Sequence, residues 1–263
     1  MLKEVPLGGR VIRTAHEVLL QNVRGRFKSP GKYRNDQNWI GVSNDINEAR
    51  YVPISPDHLE DAMARWEGYV NLSDVPALVK ISVAHAEFES IHPFRDGNGR
   101  IGRILVPLML CDSGIITSPC FYLSEFFEHR NAEYQDRLLA VSRDDEWTEW
   151  CIFFLHAIET QAKENLAKAR GIHSLYRDVL LEVASSTKSS GVDEAVKCLF
   201  RSAIFPANMF VKVAGMNESA ARRLIATLKD RGRIREVMPH RGSTPAVLEF
   251  TELLEITEGV KLR

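Results

Sequence analysis

The chain has 263 residues, 44% of them hydrophobic, with 34 Lys and Arg against 35 Asp and Glu and a formal net charge of −1. No run approaches the roughly 18 apolar residues that a membrane-spanning helix needs, the opening MLKEVPLGGR lacks the apolar core of a secretory leader, and no repeat of roughly 20–50 residues recurs. This leaves a globular chain with one domain of roughly 150–200 residues and a smaller one after it, and Cys111, Cys120, Cys151 and Cys198, without CxxC pairing and each in an apolar context, read as buried reduced thiols of a cytoplasmic protein.

In chain order, residues 14–23 (TAHEVLLQNV) read as a short amphipathic helix with Thr14 as N-cap, ending at Gly25. Residues 29–53 change character: Gly, Asn, Asp and Pro punctuate two short extended pieces, 38–42 and 50–52, which is a hairpin signal. Ser55-Pro56-Asp57 then caps a helix to about Asn71, whose inner face carries Leu59, Met63, Trp66 and Val70. Residues 75–90 (VPALVKISVAHAEFES) and 104–111 (ILVPLMLC) are two apolar helical runs. His85, with Glu87 and Glu89 after it, lacks HExxH spacing and is read as a supporting or core histidine.

Between those two runs lies the densest chemistry in the chain, residues 91–103, IHPFRDGNGRIGR. Pro93 ends the first helix, Gly97 and Gly99 permit φ > 0, and Asn98 tolerates the left-handed region. Such a turn can aim backbone N–H groups into one concavity at the start of the next helix, an anion site. Arg100 and Arg103, three apart, can share a side there. Cations at a positive helix end are disfavoured by ~0.3–1 kcal/mol each unless an anion intervenes, so a polyanion is expected. Asp96 beside a phosphate calls for Mg²⁺, which typically takes one or two carboxylates plus substrate phosphates. His92, with an ordinary pKa near neutrality, is the natural general base. Phe94 is read as a core anchor.

Farther on, the chain turns at Asp112-Ser113-Gly114, and Ser124 caps a helical segment through His129, Arg130, Tyr134, Leu138 and Val141. Trp147 and Trp150 start a long helix and are read as core. A charged face follows over 159–170, then a flexible polar stretch over 185–191 (SSTKSSG). The expected domain limits are 1–187 and 188–263. From Val192 the pattern is helix, helix, two strands. Residues 206–214, the turn Gly215-Met216-Asn217 and residues 218–230 form a helix-turn-helix pattern, and 234–237 with 247–250 flank a polar loop, as in a winged helix. Arg222, Arg223, Lys229, Arg231, Arg233, Arg235 and Arg241 supply positive charge of the kind a nucleic-acid backbone attracts, with Arg222 and Arg223 as contacts; winged helices also bind proteins or dimerise.

HPFRDGNGRIGR resembles the signature of the Fic family, His-x-Phe-x-Asp/Glu-Gly-Asn-Gly-Arg-x-x-Arg, at every specified position. The resemblance implies a mostly α protein: a Fic/Fido helical domain with a β-hairpin flap over about 29–53, followed by a small winged helix-turn-helix domain. It implies an Mg²⁺-dependent nucleotidyltransferase, a protein adenylyltransferase moving AMP from ATP to a Ser, Thr or Tyr hydroxyl of a target protein, with self-modification. His92 is then the base and Asp96 the metal ligand. Gly97, Asn98, Gly99, Arg100, Ile101, Gly102 and Arg103 form the ATP-binding stretch, and the glycine at Gly99 separates the chain from a kinase-like branch. The segment Gly-x-Tyr-Arg, Gln-Asn-Trp-Ile-Gly, Tyr-Val-Pro resembles the family's flap, so Trp39, Ile40 and Gly41 dock an extended piece of the target, with Ile40 as clamp. Tyr134 holds the base or ribose, and Gln135 stands where many relatives have a second tyrosine.

The family's inhibitory pattern, Ser/Thr-x-x-x-Glu-Gly/Asn, is unmatched: Thr251 and Glu255 have the spacing, but Ile256 follows. The expectation is an enzyme whose inhibitory helix is missing or sits on a separate partner. Two alternatives stand beside this: a nucleotide-sensing DNA-binding regulator, and transfer of a different nucleotide. A homodimer is compatible with all three.

Overall fold

The computed structural model describes residues 6–21, 27–41, 43, 45–186 and 191–259. They form two compact units that divide at Ala162 and Lys163. Composition put that boundary at 187/188. The physical difference is that Leu175, Val179 and Val183 are buried in the second core, so the helix before the polar stretch packs there. The polar residues 187–190, Val42 of the flap, and Val23 and Gly25 lie outside the described residues.

In the first unit, α1 (Gly9–Leu20) begins five residues before the expected cap, because Ile12, His16 and Leu20 at four-residue spacing define its buried face. Its start is capped from a distance: the Gly9 N–H donates to Glu67 Oε2 at 3.0 Å, and Thr14 is mid-helix. A 3₁₀ turn (Pro56–His58) with Pro56 at its first position leads into α2 (Leu59–Val70), then α3 (Ala77–Ile91) and α4 (Asn98–Asp112). Next come α5 (Ser124–His129) and α6 (Asn131–Asp144), where a single helix was expected; the chain leaves helical geometry at Arg130 between them, and Ser124 makes no cap bond. The first part of α7 (Trp147–Ser186) completes the unit.

Helix α3 is the axis of this unit. It is apolar almost all round, and Ile81, Ala84, Ala86 and Phe88 have no exposure; a helix of that kind belongs inside. Two tryptophans hold it by charge-neutral hydrogen bonds: Trp66 Nε1 of α2 donates to the Ala84 carbonyl at 2.7 Å, and Trp150 Nε1 of α7 donates to the Ser82 carbonyl at 2.8 Å. Trp150 is wholly buried and Trp147 packs on the same core, as expected. Against α3 lies α4, brought close by Gly102. A Cβ there would stand 2.1 Å from Glu89 Oε1, so any larger residue would push the Glu89 carboxyl aside.

The second unit holds α8 (Val192–Arg201), β1 (Ile204–Pro206), α9 (Ala207–Val213), α10 (Glu218–Asp230), β2 (Ile234–Met238), β3 (Val247–Phe250) and α11 (Thr251–Glu258). Its strands form an antiparallel sheet in the order β1-β3-β2, with Phe205 opposite Leu248 and Ile234 opposite Phe250. Strand β1 was not foreseen; three residues are too few to show alternation, and Pro206 is tolerated because β1 is an edge. The turn from α9 to α10 uses Gly215 at φ 69° and Asn217 as N-cap, whose side chain accepts from the Ala220 N–H. All four cysteines are free; Cys120 is exposed despite its apolar sequence neighbours. Among the described residues no helix is long and apolar enough to cross a membrane.

Replacing Trp150 by Ala removes both a fully buried side chain and the donor to Ser82, and is expected to cost ~3–5 kcal/mol of stability. Urea unfolding followed by fluorescence of the remaining tryptophans checks it; a loss below about 1 kcal/mol would mean that α3 is not held this way.

Candidate functional site

Helix α3 ends at His92, which takes φ 49° and ψ 58°, a left-handed conformation uncommon for a residue with a side chain. Gly97 at φ 86° opens α4. The four residues between them turn the chain against the core, with Pro93 and Phe94 buried, so their backbone groups need partners there. Arg34, 3% exposed, supplies several: Nε donates to the His92 carbonyl at 3.0 Å, and the terminal nitrogens donate to the carbonyls of Ile54, Ile91 and Asp36. The Arg34 N–H itself donates to the Pro93 carbonyl at 2.9 Å.

His16 completes the support. Its ring is fully buried and stacks on Phe94 at 3.8 Å between centroids. Because the Gly31 N–H donates to Nδ1 at 2.9 Å, the proton resides on Nε2 and is donated to the Asp96 carbonyl, also at 2.9 Å. Burial lowers the pKa of His16, so it stays neutral. Asn98 is 2% exposed and spent on the turn: Oδ1 accepts from the Phe94 N–H and Nδ2 donates to the Phe94 carbonyl, both 2.8 Å. Asn98 is therefore helical and buried, where a left-handed residue was allowed for, and only its backbone N–H remains for an anion.

A cavity of about 280 Å³ opens beside this turn, walled by His92, Gly99 and Arg103 of the turn and α4, Glu89 and Ser90 of α3, Ile40, Arg50 and Tyr51 of the flap, and Tyr134 and Gln135 of α6 among others. His92 Nδ1 faces the Glu89 carbonyl at 3.3 Å. A carbonyl can only accept, so Nδ1 carries the proton and Nε2 keeps its lone pair. Burial is the main cause that pushes the His92 pKa down to about 4, with Arg34 assisting, so the ring is a neutral base at pH 7.

The predicted ATP-binding residues separate by direction. Gly99 and Arg103 face the cavity, whereas Ile101 is wholly buried in the core and Gly102 is buried against Glu89 and His85. Asp96 and Arg100 do not line the cavity; they are half-exposed and 3.5 Å apart. Among the described residues no group of three or more His, Cys, Asp or Glu could hold a metal. Asp96 is thus a lone carboxylate, which suits an ion that draws its other ligands from phosphate and water. Tyr134 lines the cavity with its ring, but its hydroxyl donates to His85 Nε2 at 2.9 Å, while His85 Nδ1 donates to the Gly102 carbonyl at 3.1 Å. His85 is 1% exposed, and burial holds its pKa near about 4. It is a supporting histidine, as its spacing indicated.

The flap is narrower than expected: one antiparallel bridge, Ile40 opposite Tyr51, in place of a hairpin of two strands, with a 3₁₀ turn (Ile46–Glu48) between. Gly41 is exposed, Trp39 is half-buried with its Nε1 donating to the Ser43 carbonyl, and Ile40 reaches the cavity. Tyr51 ties the flap to α3 through the Ser90 carbonyl at 3.0 Å, and Asn38 ties it to the Phe94 carbonyl at 3.1 Å. At its far side Arg50 donates to Gln135 Oε1 and pairs with Asp136. Sequence reasoning missed Arg34, His16, Arg50 and Glu89. Arg34 lay inside a string noted only for its likeness to a flap, and no spacing rule ties Arg34, His16 or Arg50 to the turn, whereas Glu89, one helical turn before His92, carried such a signal.

In the second unit Arg222 pairs with Glu218, Lys229 with Glu236, Arg231 with Glu182, Arg233 with Glu182 and Glu252, and Arg235 with Glu249. Most of the cations expected to face a nucleic acid are therefore matched by carboxylates. Arg223 is exposed on α10.

Residues 6–110 match the model of the Fic/DOC family. Over 87 residues, 32% of this chain and 16% of the relative, the chain is 30% identical to a protein adenylyltransferase of Caenorhabditis briggsae. It is 34% identical over 85 residues to a uridine 5'-monophosphate transferase of Xanthomonas campestris, 29% of this chain and 16% of the relative. A longer match, 27% identical over 179 residues, covers 68% of this chain and 48% of a probable protein adenylyltransferase of Aquifex aeolicus. The chain thus spans less than half the length of these relatives. It shares its fold with a Fic family protein from Desulfovibrio desulfuricans, with TM-score 0.54 and 19% identity over 92% of this chain and 68% of that one.

An NMR titration of the ring protons should give His92 a midpoint near about 4, well below the ordinary 6.5; a midpoint at 6.5 would show that the ring is not desolvated and held as described.

Proposed function

We propose that this chain transfers AMP from ATP to a Ser, Thr or Tyr hydroxyl of a protein, itself included, with pyrophosphate leaving. The observation that carries the proposal is the tautomer of His92: Nδ1–H committed to a backbone carbonyl, Nε2 free, in the same cavity wall as Gly99 and Arg103. Nε2 takes the proton of the acceptor hydroxyl as its oxygen attacks the α-phosphorus, and the bond to the pyrophosphate oxygen breaks. The helix N-terminus at Asn98, Gly99 and Arg100 presents N–H groups that have no acceptor one turn back, as at every helix start, and these receive phosphate oxygens. Arg100 and Arg103 offset the charge of the chain of phosphates. Asp96 is the residue that would hold Mg²⁺, which when bound neutralises phosphate charge. The rate gain is then one of positioning and charge stabilisation.

Ile40 supports the docking role of the flap. Its N–H and C=O both bond to the strand around Tyr51. In an antiparallel pair the neighbouring residues, here Trp39 and Gly41, direct their backbone groups to the opposite side, the side an added strand of target would use. We place the activity in the cytoplasm, with its inhibitory helix missing or carried by a separate partner.

A second reading keeps the site and changes the nucleotide. It is favoured by the likeness to a uridine 5'-monophosphate transferase and by Gln135, which occupies the α6 end of the cavity in the position expected for a tyrosine and is held by Arg50 and Asn131. The winged-helix-like second unit as a DNA reader draws less support, since its cations are largely paired with carboxylates.

Intact mass after incubation with ATP and Mg²⁺ should show a gain of one or more AMP groups. His92→Ala should lose on the order of 10²–10⁴ in rate and keep its affinity for ATP. A gain with UTP in place of ATP would select the second reading, and loss of ATP binding in His92→Ala would remove His92 from the role of base. Arg222→Ala with Arg223→Ala should leave transfer unchanged; a loss of transfer would tie the second unit to the reaction.

A further inference from the structure

Glu89 is the cavity group that the proposed reaction leaves unused. It sits on α3, one turn before His92, and is 8% exposed. Its Oε1 is buried with no hydrogen-bond partner. A buried carboxyl without a partner is costly, and a charged one more so, so its retention against the glycines of α4 calls for an occasional partner. The carboxyl lies over α4: its oxygens are 3.9 Å from the point where a Cβ on Gly99 would stand, and Arg103 lies 3.3 Å from that same point. Glu89, Gly99 and Arg103 therefore share one patch of cavity wall.

From that arrangement we infer that Glu89 is a proton-linked group of the cavity wall: it takes up a proton from solvent when a phosphate group arrives against Arg103. The inference rests on the reading of this cavity as a nucleotide site. A phosphate drawn to Arg103 and an ionised Glu89 in the same buried wall would repel strongly, and the carboxyl is the one that can be neutralised at little cost. The protonated carboxyl no longer repels the phosphate, and an uncharged carboxyl is the less costly one to keep buried without a partner.

The surroundings agree. Burial pushes the pKa of Glu89 up to about 7, with Arg103 of α4 acting in the opposite direction. The other titratable groups around it are His85 of α3 and His92 at its end, both held neutral, Tyr134 of α6, whose pKa burial and Glu89 raise further, and Arg50 and Tyr51 across the cavity on the flap. None of the neutral ones can take over the role near pH 7. A phosphate beside Glu89 raises its pKa further. Binding then takes up protons, and affinity rises as pH falls through the bound-state value.

The test is calorimetric titration of the whole chain with the α,β-methylene analogue of ATP, which cannot release pyrophosphate, at constant Mg²⁺ and in buffers of differing ionisation enthalpy. Wild type should take up about half a proton more at pH 7 than Glu89→Gln, the fraction left ionised by a group titrating there; the nucleotide's own protons cancel in the difference. Equal uptake by the two chains, each binding the analogue, would overturn the role of Glu89 and leave the nucleotide site standing. No binding to either folded chain would overturn the nucleotide reading and the role of Glu89 with it. Should Glu89→Gln fail to fold, a carbon-detected NMR titration of the Glu89 carboxyl in wild type decides: a midpoint that rises on adding the analogue supports the inference, and an unmoved midpoint ends it.

Discussion

A turn between two buried helices must satisfy its own carbonyls, and here that task falls on a side chain from another part of the chain. Arg34 stands 58 residues before His92, yet its guanidinium gathers the carbonyls of Ile91 and His92 together with those of Asp36 and Ile54. Each buried polar group left unmatched costs roughly 1–3 kcal/mol, so the left-handed backbone at His92 persists only while such donors surround it. Arg34 lies at the root of the flap. The segment proposed to receive the target and the residue proposed to activate it are thus joined by a single buried cation, before either meets a ligand.

The histidines follow one electrostatic rule. His16, His85 and His92 each have a ring nitrogen fixed by a carbonyl, and burial lowers the pKa of each. Their neighbours Arg34, Arg100 and Arg103, with the positive start of α4, already crowd the region with positive charge, which disfavours further protonation. Neutral rings here serve geometry and, at His92, basicity. Permanent positive charge in this region is left to the arginines.

Much of this was legible in the sequence where the information is local. The apolar helices around 75–90 and 104–111 and the turn between them follow from residues within one short stretch, whereas Arg100 and Arg103, expected to share a side, differ in that Arg103 lines the cavity and Arg100 does not. The helix-turn-helix pattern at 206–230 was equally local, resting on Gly215 and Asn217. What could not be read are partners set far apart: His16 with Asp96 across 80 residues, Arg34 with His92 across 58, Arg50 with Gln135 across 85. Periodicity reports which face is buried but not which polar group waits there. The same limit explains the second unit: charge counted along 222–241 read as a basic surface, whereas Glu182, Glu249 and Glu252 arrive from other elements to pair with it. Thr14 and Ser124 had the composition of caps but not the position, since burial of Ile12 and the break at Arg130 fix where those helices begin.

The short string from His92 to Arg103 turns out to answer two demands at once. Phe94, Asn98, Ile101 and Gly102 face inward: they anchor the turn, staple it and let α4 approach α3. His92, Gly99 and Arg103 face the cavity. A match at every position is therefore information about a fold as much as about a reaction, and it contains little that could distinguish one nucleotide from another. The remaining wall comes from outside it, from Arg50 of the flap, Glu89 of α3, and Asn131, Tyr134 and Gln135 of α6. Tyr134 is committed through its hydroxyl to His85, and Gln135 to Arg50 and Asn131, so the polar face that a base would meet is set by a hydrogen-bonded network that crosses from flap to helix. In such a network a single change alters the partners of all the others. Under the proposed function, nucleotide choice rests on how the flap is latched to α6, and the turn supplies the chemistry common to any nucleotide that fits.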